Sequence, residues 1–281
     1  MQYISVIGSG TMGNGIAHTF AQFGFEVALV DINPTALERA LNTIGNNLDR
    51  QVKKGALTET DKQRAFSRIT AYTDLANGVG QADLVVEAAT ESEEVKLDLF
   101  RELDRLCPGH TILASNTSSI SITKIASVTQ RADRTIGMHF MNPVPVMKLV
   151  EVVKGYETSA DTTNRIAALS KQLDKEPVIV NDYPGFVANR ILMPMINEAI
   201  YALYEGVAEA EAIDAIMKLG MAHPMGPLQL ADFIGLDVCL AILRVLYDGF
   251  GNPKYAPCPL LVNMVTAGKL GKKSGQGFYR Y

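Results

Sequence analysis

The N-terminal half of the chain alternates short apolar runs with amphipathic stretches. Tyr3-Ile4-Ser5-Val6-Ile7 reads as a buried strand, and Ile16, Ala17, Phe20 and Ala21 then recur at helical spacing. Glu26 to Val30 predicts a second strand. Residues 34–68 predict two helices, with Pro34 in a first turn and Gly55 breaking the run between Lys54 and Leu57. Further strands are expected at Asp83–Ala89, Thr111–Ala114 and Thr135–His139, with a short helix at Ser121–Ala126. Met147–Val153 predicts a sheet extension that brings Glu151 back towards His139, and Val178–Val180 is the last strand-like run. The rhythm stops at Asn181-Asp182-Tyr183-Pro184-Gly185, a turn-rich hinge. Beyond it the spacing predicts one long apolar helix over Phe186–Leu203 and helices over 209–219 and 227–248, separated by Met221-Ala222-His223-Pro224-Met225-Gly226-Pro227. The pattern predicts an α/β domain over residues 1–183 and an all-α domain over 184–281. Met193, Met195, Ile196 and Ile200 make the first long helix apolar on several faces, so it must bury them in its own core or against a second copy.

The first strand runs into Gly8-Ser9-Gly10-Thr11-Met12-Gly13, and the second ends at Asp31. In a strand–turn–helix unit Gly8 permits the tight turn, Gly10 lets backbone N–H groups approach a pyrophosphate, and Gly13 lets helix and strand pack closely. The phosphates would sit at the helix N-terminus, and Asp31 would accept hydrogen bonds from ribose hydroxyls. Glycines, helix, second strand and acid in this order predict a Rossmann-type doubly wound sheet that binds a dinucleotide. A carboxylate at position 31, followed by Ile32-Asn33-Pro34 with no adjacent arginine, favours NAD over NADP, because a 2′-phosphate would face it.

The remaining polar positions divide between chemistry and ordinary structure. His139 stands in a polar setting at the end of an apolar run, one of four histidines in the chain. Hydride removal from a carbinol needs a group to take the hydroxyl proton, and histidine suits that near neutral pH, oriented by a carboxylate such as Glu151. Ser115-Asn116-Thr117-Ser118-Ser119 follows a strand, where ligands of such sheets bind, although any one of these hydroxyls would also cap a helix. Glu91 and Lys96 follow another strand end and are candidate cofactor contacts; an acid near a helix start is the alternative for Glu91. Lys53 and Lys54 either complement a helix dipole or receive the phosphates of a large anionic substrate.

Composition narrows the classes. The chain is 281 residues long, 47% hydrophobic and 20% charged, with a net charge of −4, which disfavours a nucleic-acid surface. Cys107, Cys239 and Cys258 are odd in number and widely spaced, against a disulfide scaffold or a zinc site. There is no secretory signal and no apolar run of the roughly 18 to 20 residues that a membrane span needs, so a cytoplasmic protein with no metal and no membrane partner is expected.

Taken in order, these segments resemble the 3-hydroxyacyl-CoA dehydrogenases, especially the short 3-hydroxybutyryl-CoA type. The likeness runs through Val6–Gly13, Ala82–Ala89, Ala114–Ser119, Gly137–Pro143, Pro184–Arg190, Pro224–Pro227, Asp232–Asp237 and Lys272–Tyr279, essentially the whole chain. It implies an NAD-dependent enzyme that interconverts (3S)-3-hydroxyacyl-CoA and 3-ketoacyl-CoA. In that reading His139 is the general base and Glu151 its partner, while Ser118 and Asn189 position the thioester and the 3-hydroxyl. Asn142, Glu91, Lys96 and Lys273 touch cofactor, and the helical domain makes a homodimer. The rivals are a gulonate-type sugar-acid dehydrogenase and a non-catalytic NAD-binding protein of the crystallin kind; the intact Ser118, His139, Glu151 and Asn189 set argues against the second.

Overall fold

A computed structural model describes residues 1–281. The chain divides into two compact units, residues 1–182 and 183–281. The first contains β1 (Tyr3–Ile7), α1 (Thr11–Gln22), β2 (Glu26–Val30), α2 (Pro34–Lys53), α3 (Glu59–Ser67), β3 (Ile69–Tyr72), α4 (Leu75–Val79), β4 (Leu84–Glu87), α5 (Glu93–Leu106), β5 (Ile112–Ser115), α6 (Ile122–Ala126), β6 (Thr135–Phe140), β7 (Leu149–Lys154), α7 (Ala160–Gln172) and β8 (Glu176–Asn181). The eight strands form one sheet in the order β3-β2-β1-β4-β5-β6-β7-β8. Every neighbouring pair is parallel except β6 and β7. This is the doubly wound sheet that the alternating pattern predicts.

Strand alternation sorts the side chains by face. Ile4, Val6, Leu84, Val86, Ile112, Ala114, Ile136, Met138, Phe140, Val150 and Val152 belong to one core cluster with α1 residues Ile16 and Phe20, α2 residues Ile44 and Leu48, and α7 residues Ile166 and Leu169. The intervening positions Glu87, Ser115, His139 and Glu151 therefore point to the opposite face. Each is buried. Apolar burial on one face holds the strands in a single register, and that register places the polar positions on the other.

β3, α4 and α7 carry too weak a pattern to be expected from spacing. β3 has no fully buried residue and α4 is one short turn capped by Asp74, whose carboxylate accepts from Asn77 N–H at 2.9 Å.

The second unit is all-helical, with α8 (Ala188–Tyr204), α9 (Ala210–Gly220), α10 (Pro227–Ile234), α11 (Leu236–Phe250) and α12 (Pro259–Thr266). The structure corrects two expectations. The single helix predicted over 227–248 is two, because Gly235 adopts φ +105° between them. The helix predicted from Phe186 begins at Ala188, with Phe186 itself in the left-handed region at φ +51°. Met193, Ile196 and Ile200 are buried in the core of their own unit, with Leu228, Leu240, Leu243, Leu246 and Leu261. Their apolar character is thus explained without a second copy. No helix of the chain is long and apolar enough to cross a membrane.

Two buried aspartates staple this unit together. Asp214 accepts from the Leu228 and Gln229 amides at the start of α10 and from the Tyr279 hydroxyl. Asp232 accepts from the Phe278 and Tyr279 amides. A Cβ on Gly226 would lie 2.2 Å from Asp214 Cγ, and one on Gly277 would lie 1.9 Å from Asp232 Oδ1. Glycine at 226 and at 277 is therefore demanded by these carboxylates.

One buried residue of α1 makes the fold pH-sensitive. His18 is 1% exposed, its Nδ1 has no hydrogen-bond partner, and its Nε2 lies 3.2 Å from Gln51 Nε2. Burial holds the imidazole down at about 4 from an ordinary 6.5, against a smaller opposing effect of the Gln22 side chain. The unfolded chain therefore takes up a proton between pH 6.5 and 4 that the folded chain cannot, and stability is lost as pH falls through that window. The loss amounts to roughly 3 kcal/mol. In urea titrations at pH 7 and pH 4, His18→Gln should lose less stability on acidification than the wild type by about that amount; parallel losses would contradict this assignment.

Candidate active site

The turn between β1 and α1 is built by close approach of backbone. Gly8 adopts φ +96°, and a Cβ there would sit 2.6 Å from Ala88 O. A Cβ on Gly13 would sit 1.7 Å from Gly8 O, so only glycine lets the helix begin here. A Cβ on Gly10 would meet nothing within 4 Å, which leaves open space beside the N-terminus of α1. That terminus has no capping side chain and no acid in its first turn. Its unpaired N–H groups and positive dipole end are suited to an anion. Thr11 and Met12 are the first two residues of the helix.

Asp31 closes the cradle at the end of β2. Its Oδ2 accepts from Ser9 N at 2.8 Å and Ser9 Oγ at 2.7 Å, and its Oδ1 accepts from Asn33 N at 2.9 Å. Burial alone would raise its carboxyl, but the Ser9 hydroxyl and the Asn33 and Ser9 amides together hold it below the ordinary carboxylate range. A fixed anion at this point suits ribose hydroxyls and opposes a 2′-phosphate. Open space at Gly10, an uncapped helix start and a held carboxylate fit NAD.

The second cluster lies on the polar face of β4 to β7. Antiparallel pairing sets His139 directly opposite Glu151. His139 Nδ1 lies 2.8 Å from Glu151 Oε2, and both side chains are almost fully buried. An ionised carboxylate only accepts, so with Glu151 ionised Nδ1 would carry the ring proton and Nε2 would be left to face Ser118. Nε2 lies 3.0 Å from Ser118 Oγ. The strand pair is drawn close at Gly137, where a Cβ would sit 2.6 Å from Val153 Cβ.

Ser118 is held by its backbone. Glu91 Oε1 accepts from Ser118 N at 2.9 Å, Ser119 N at 3.2 Å, Ser119 Oγ at 2.9 Å and the Thr117 hydroxyl. Burial would raise the Glu91 carboxyl, but Lys96 and these donors outweigh it and hold it low. Lys96 Nζ lies 3.4 Å from Glu91 Oε2 and 2.6 Å from Glu87 Oε1. Asn116 Oδ1 accepts from Phe140 N, tying the loop to the strand end beside His139.

The structure thus gathers Ser118, His139, Glu151, Glu91 and Lys96 at one face of the first unit. Asn142 is exposed just beyond β6. The loop it opens is held by Lys175, whose Nζ donates to Val144 O at 2.6 Å and Met147 O at 2.8 Å. Lys53 and Lys54 are exposed where α2 ends. Asn189 and Lys273 belong to the second unit. Asn189 lies in the first turn of α8, and Lys273 Nζ is paired with Asp237.

Sequence reasoning missed Glu87 and Lys175 as parts of this arrangement, and it named Ser115 in the loop cluster without its bond to Glu87. For Glu87 a signal existed: a carboxylate inside the apolar run Leu84–Ala89 is buried and must find a partner. Lys175 carried no such signal: it lies in the connection between α7 and β8, and its partners are the carbonyls of Val144 and Met147, far off in the chain.

Comparison with known proteins agrees along the whole chain. Residues 3–183 match the model of the 3-hydroxyacyl-CoA dehydrogenase NAD-binding domain, and residues 185–281 match that of the C-terminal domain of the same family. A probable 3-hydroxybutyryl-CoA dehydrogenase of Bacillus subtilis is 57% identical over 281 residues, covering 100% of this chain and 98% of that protein. A 3-hydroxybutyryl-CoA dehydrogenase of Bradyrhizobium diazoefficiens is 53% identical, covering 99% of this chain and 94% of its own length. The crystal structure of the (S)-3-hydroxybutyryl-CoA dehydrogenase of Ralstonia eutropha superposes with a TM-score of 0.97 at 52% identity, covering 100% of this chain and 99% of that one. With a dinucleotide cradle and a buried histidine–carboxylate pair on the same sheet, the chain belongs to the 3-hydroxyacyl-CoA dehydrogenase family and is one of its NAD-dependent enzymes.

Proposed function

We propose that this enzyme interconverts (3S)-3-hydroxyacyl-CoA and 3-ketoacyl-CoA, with 3-hydroxybutyryl-CoA as its substrate. The observation that carries the reading is the buried pair itself: Glu151 occupies Nδ1 of His139, so Nε2 is the basic atom, and it faces Ser118. When bound, the nicotinamide supplies the acceptor for the hydride that leaves C3. His139 Nε2 takes the proton of the 3-hydroxyl as the C3–O bond becomes a carbonyl, and it returns that proton in the reverse direction. Glu151 fixes the tautomer and stabilises the imidazolium that forms. Ser118 and Asn189 position the thioester and the 3-hydroxyl.

The cofactor is held by Gly8, Ser9, Gly10, Thr11, Met12, Gly13 and Asp31, with Glu91, Lys96, Ser118, Asn142 and Lys273 completing its site. Lys53 and Lys54 receive the CoA phosphates. Residues 1–183 are the NAD-binding domain, and residues 184–281 serve substrate binding and assembly of a cytoplasmic homodimer. Names of relatives at 57% and 53% identity over nearly the full length support the CoA substrate over a sugar acid.

The test is NADH consumption with acetoacetyl-CoA, beside longer 3-ketoacyl-CoAs and a sugar acid. Wild-type turnover should fall by about 10²–10⁴ in His139→Ala, the range expected of general acid–base help. A folded, NAD-binding wild type inactive on every CoA ester would overturn the assignment. Glu151→Gln should lower kcat by about 10²-fold while KM for NADH moves less than about threefold. Unchanged turnover would remove Glu151 from the mechanism. Asp31→Asn should raise KM for NAD by about tenfold, the effect expected of one charge-assisted hydrogen-bond site. An unchanged KM would place the ribose elsewhere.

A further inference from the structure

Beneath the loop that carries Ser118 lies a carboxylate that the reaction as described does not use. Glu87 ends β4, faces the same side of the sheet as His139, and is 0% exposed. It stands directly across from Ser115 in the parallel pairing of β4 and β5. Its Oε1 accepts from Lys96 Nζ at 2.6 Å and from Ala89 N at 2.8 Å, and its Oε2 accepts from Ser115 Oγ at 2.6 Å. Lys96 is 1% exposed and reaches onward to Glu91 Oε2 at 3.4 Å. Glu91 in turn gathers the Thr117, Ser118 and Ser119 donors on its other oxygen.

Ion pairs this deep cost desolvation free energy, and a well-packed apolar pair would often be at least as stable. Stability alone therefore does not account for Glu87 and Lys96. Geometry accounts for them better. The Glu91 side chain is 43% exposed, so water competes for its carboxylate, and its inner oxygen needs a fixed cation to hold its orientation. Lys96 is a long, flexible side chain, and Glu87 is the rigid strand residue that fixes its ammonium.

We propose that Glu87 is a positioning residue: through Lys96 and Glu91 it sets the backbone of Thr117–Ser119, and thereby the Ser118 hydroxyl that lies against His139. The inference rests on the reading of Ser118 and His139 given above. It assigns Glu87 no contact with substrate. Its effect on catalysis passes through Ser118, so the two residues must be coupled.

The test compares Glu87→Gln and the charge-compensated Glu87→Gln/Lys96→Gln double variant, each alone and on Ser118→Ala, with His139→Ala alongside. The double variant leaves no unpaired buried charge and guards against a simple folding failure. Both should fold and show kcat reduced by about tenfold or more. The Ser118 and Ser119 amides should exchange with solvent about tenfold faster, a readout independent of turnover. On Ser118→Ala, the further loss from Glu87→Gln should shrink to less than about twofold, because coupled residues are non-additive. Wild-type kcat and exchange in both variants, a fully additive loss on Ser118→Ala, or failure of both variants to fold would each overturn the proposal. If His139→Ala loses turnover and the Glu87 variants keep it, the relay alone is wrong. If His139→Ala keeps turnover, the reading of the site is wrong, and faster Ser118 exchange still reports the relay.

Discussion

The antiparallel pairing of β6 with β7 is the constraint on which the site depends. It sets His139 opposite Glu151, and opposed residues on one face of such a pair have Cβ atoms about 4.5–5.5 Å apart, close enough for a hydrogen bond. A slip of one residue would turn Glu151 to the other face and bring an apolar neighbour opposite the imidazole. Packing resists that slip. Val150 and Val152 sit in the main core beneath α7, and Gly137 lets Val153 approach more closely than any side chain would allow. Burial of valines on one face thus holds the histidine and the carboxylate opposite each other on the other.

The same division of faces organises the rest of the first unit. Apolar positions of β1, β4, β5, β6 and β7 lock onto α1, α2 and α7, which frees the opposite positions near the strand ends for Glu87, Ser115, His139 and Glu151. The cofactor cradle uses the other resource of a parallel sheet, a strand end feeding a helix N-terminus, with Gly8 and Gly13 removing the side chains that would block it. In the second unit the comparable fixed points are Asp214 and Asp232, which bind helix and chain-end amides and exclude a side chain at Gly226 and Gly277.

Much of this was legible in the residues. Glycines, strand, helix and Asp31 in order announce the tight turn and open helix start that the structure forms, because each has a separate mechanical requirement. The fold class follows from the alternation of strand and helix patterns and from its end near Pro184. The pairing of His139 with Glu151 was legible as a direction of return, whereas its register depends on which residues of β7 bury, and a period of two does not specify that by itself. The break at Gly235 was hidden because apolar spacing continues through it from Leu228 to Leu246; only the left-handed backbone interrupts the helix. The apolar faces of α8 could serve a core or a partner equally well; packing assigns Met193, Ile196 and Ile200 to the core of their own unit and leaves Met195 outside that cluster. Glu87 announced itself as a carboxylate inside an apolar run, but such a run does not name Lys96 as the partner, and Lys175 gave no signal because its partners are distant backbone carbonyls.

A single-turnover measurement of (3S)-3-hydroxybutyryl-CoA oxidation, with substrate carrying deuterium at C3 and with solvent H2O or D2O, tests the central claim most directly. Proton removal by His139 predicts that both substitutions slow the step in the wild type, and that the solvent effect disappears in His139→Ala while the C3 effect persists. A wild-type hydride step insensitive to D2O, or a solvent effect of equal size in the variant, would contradict the account.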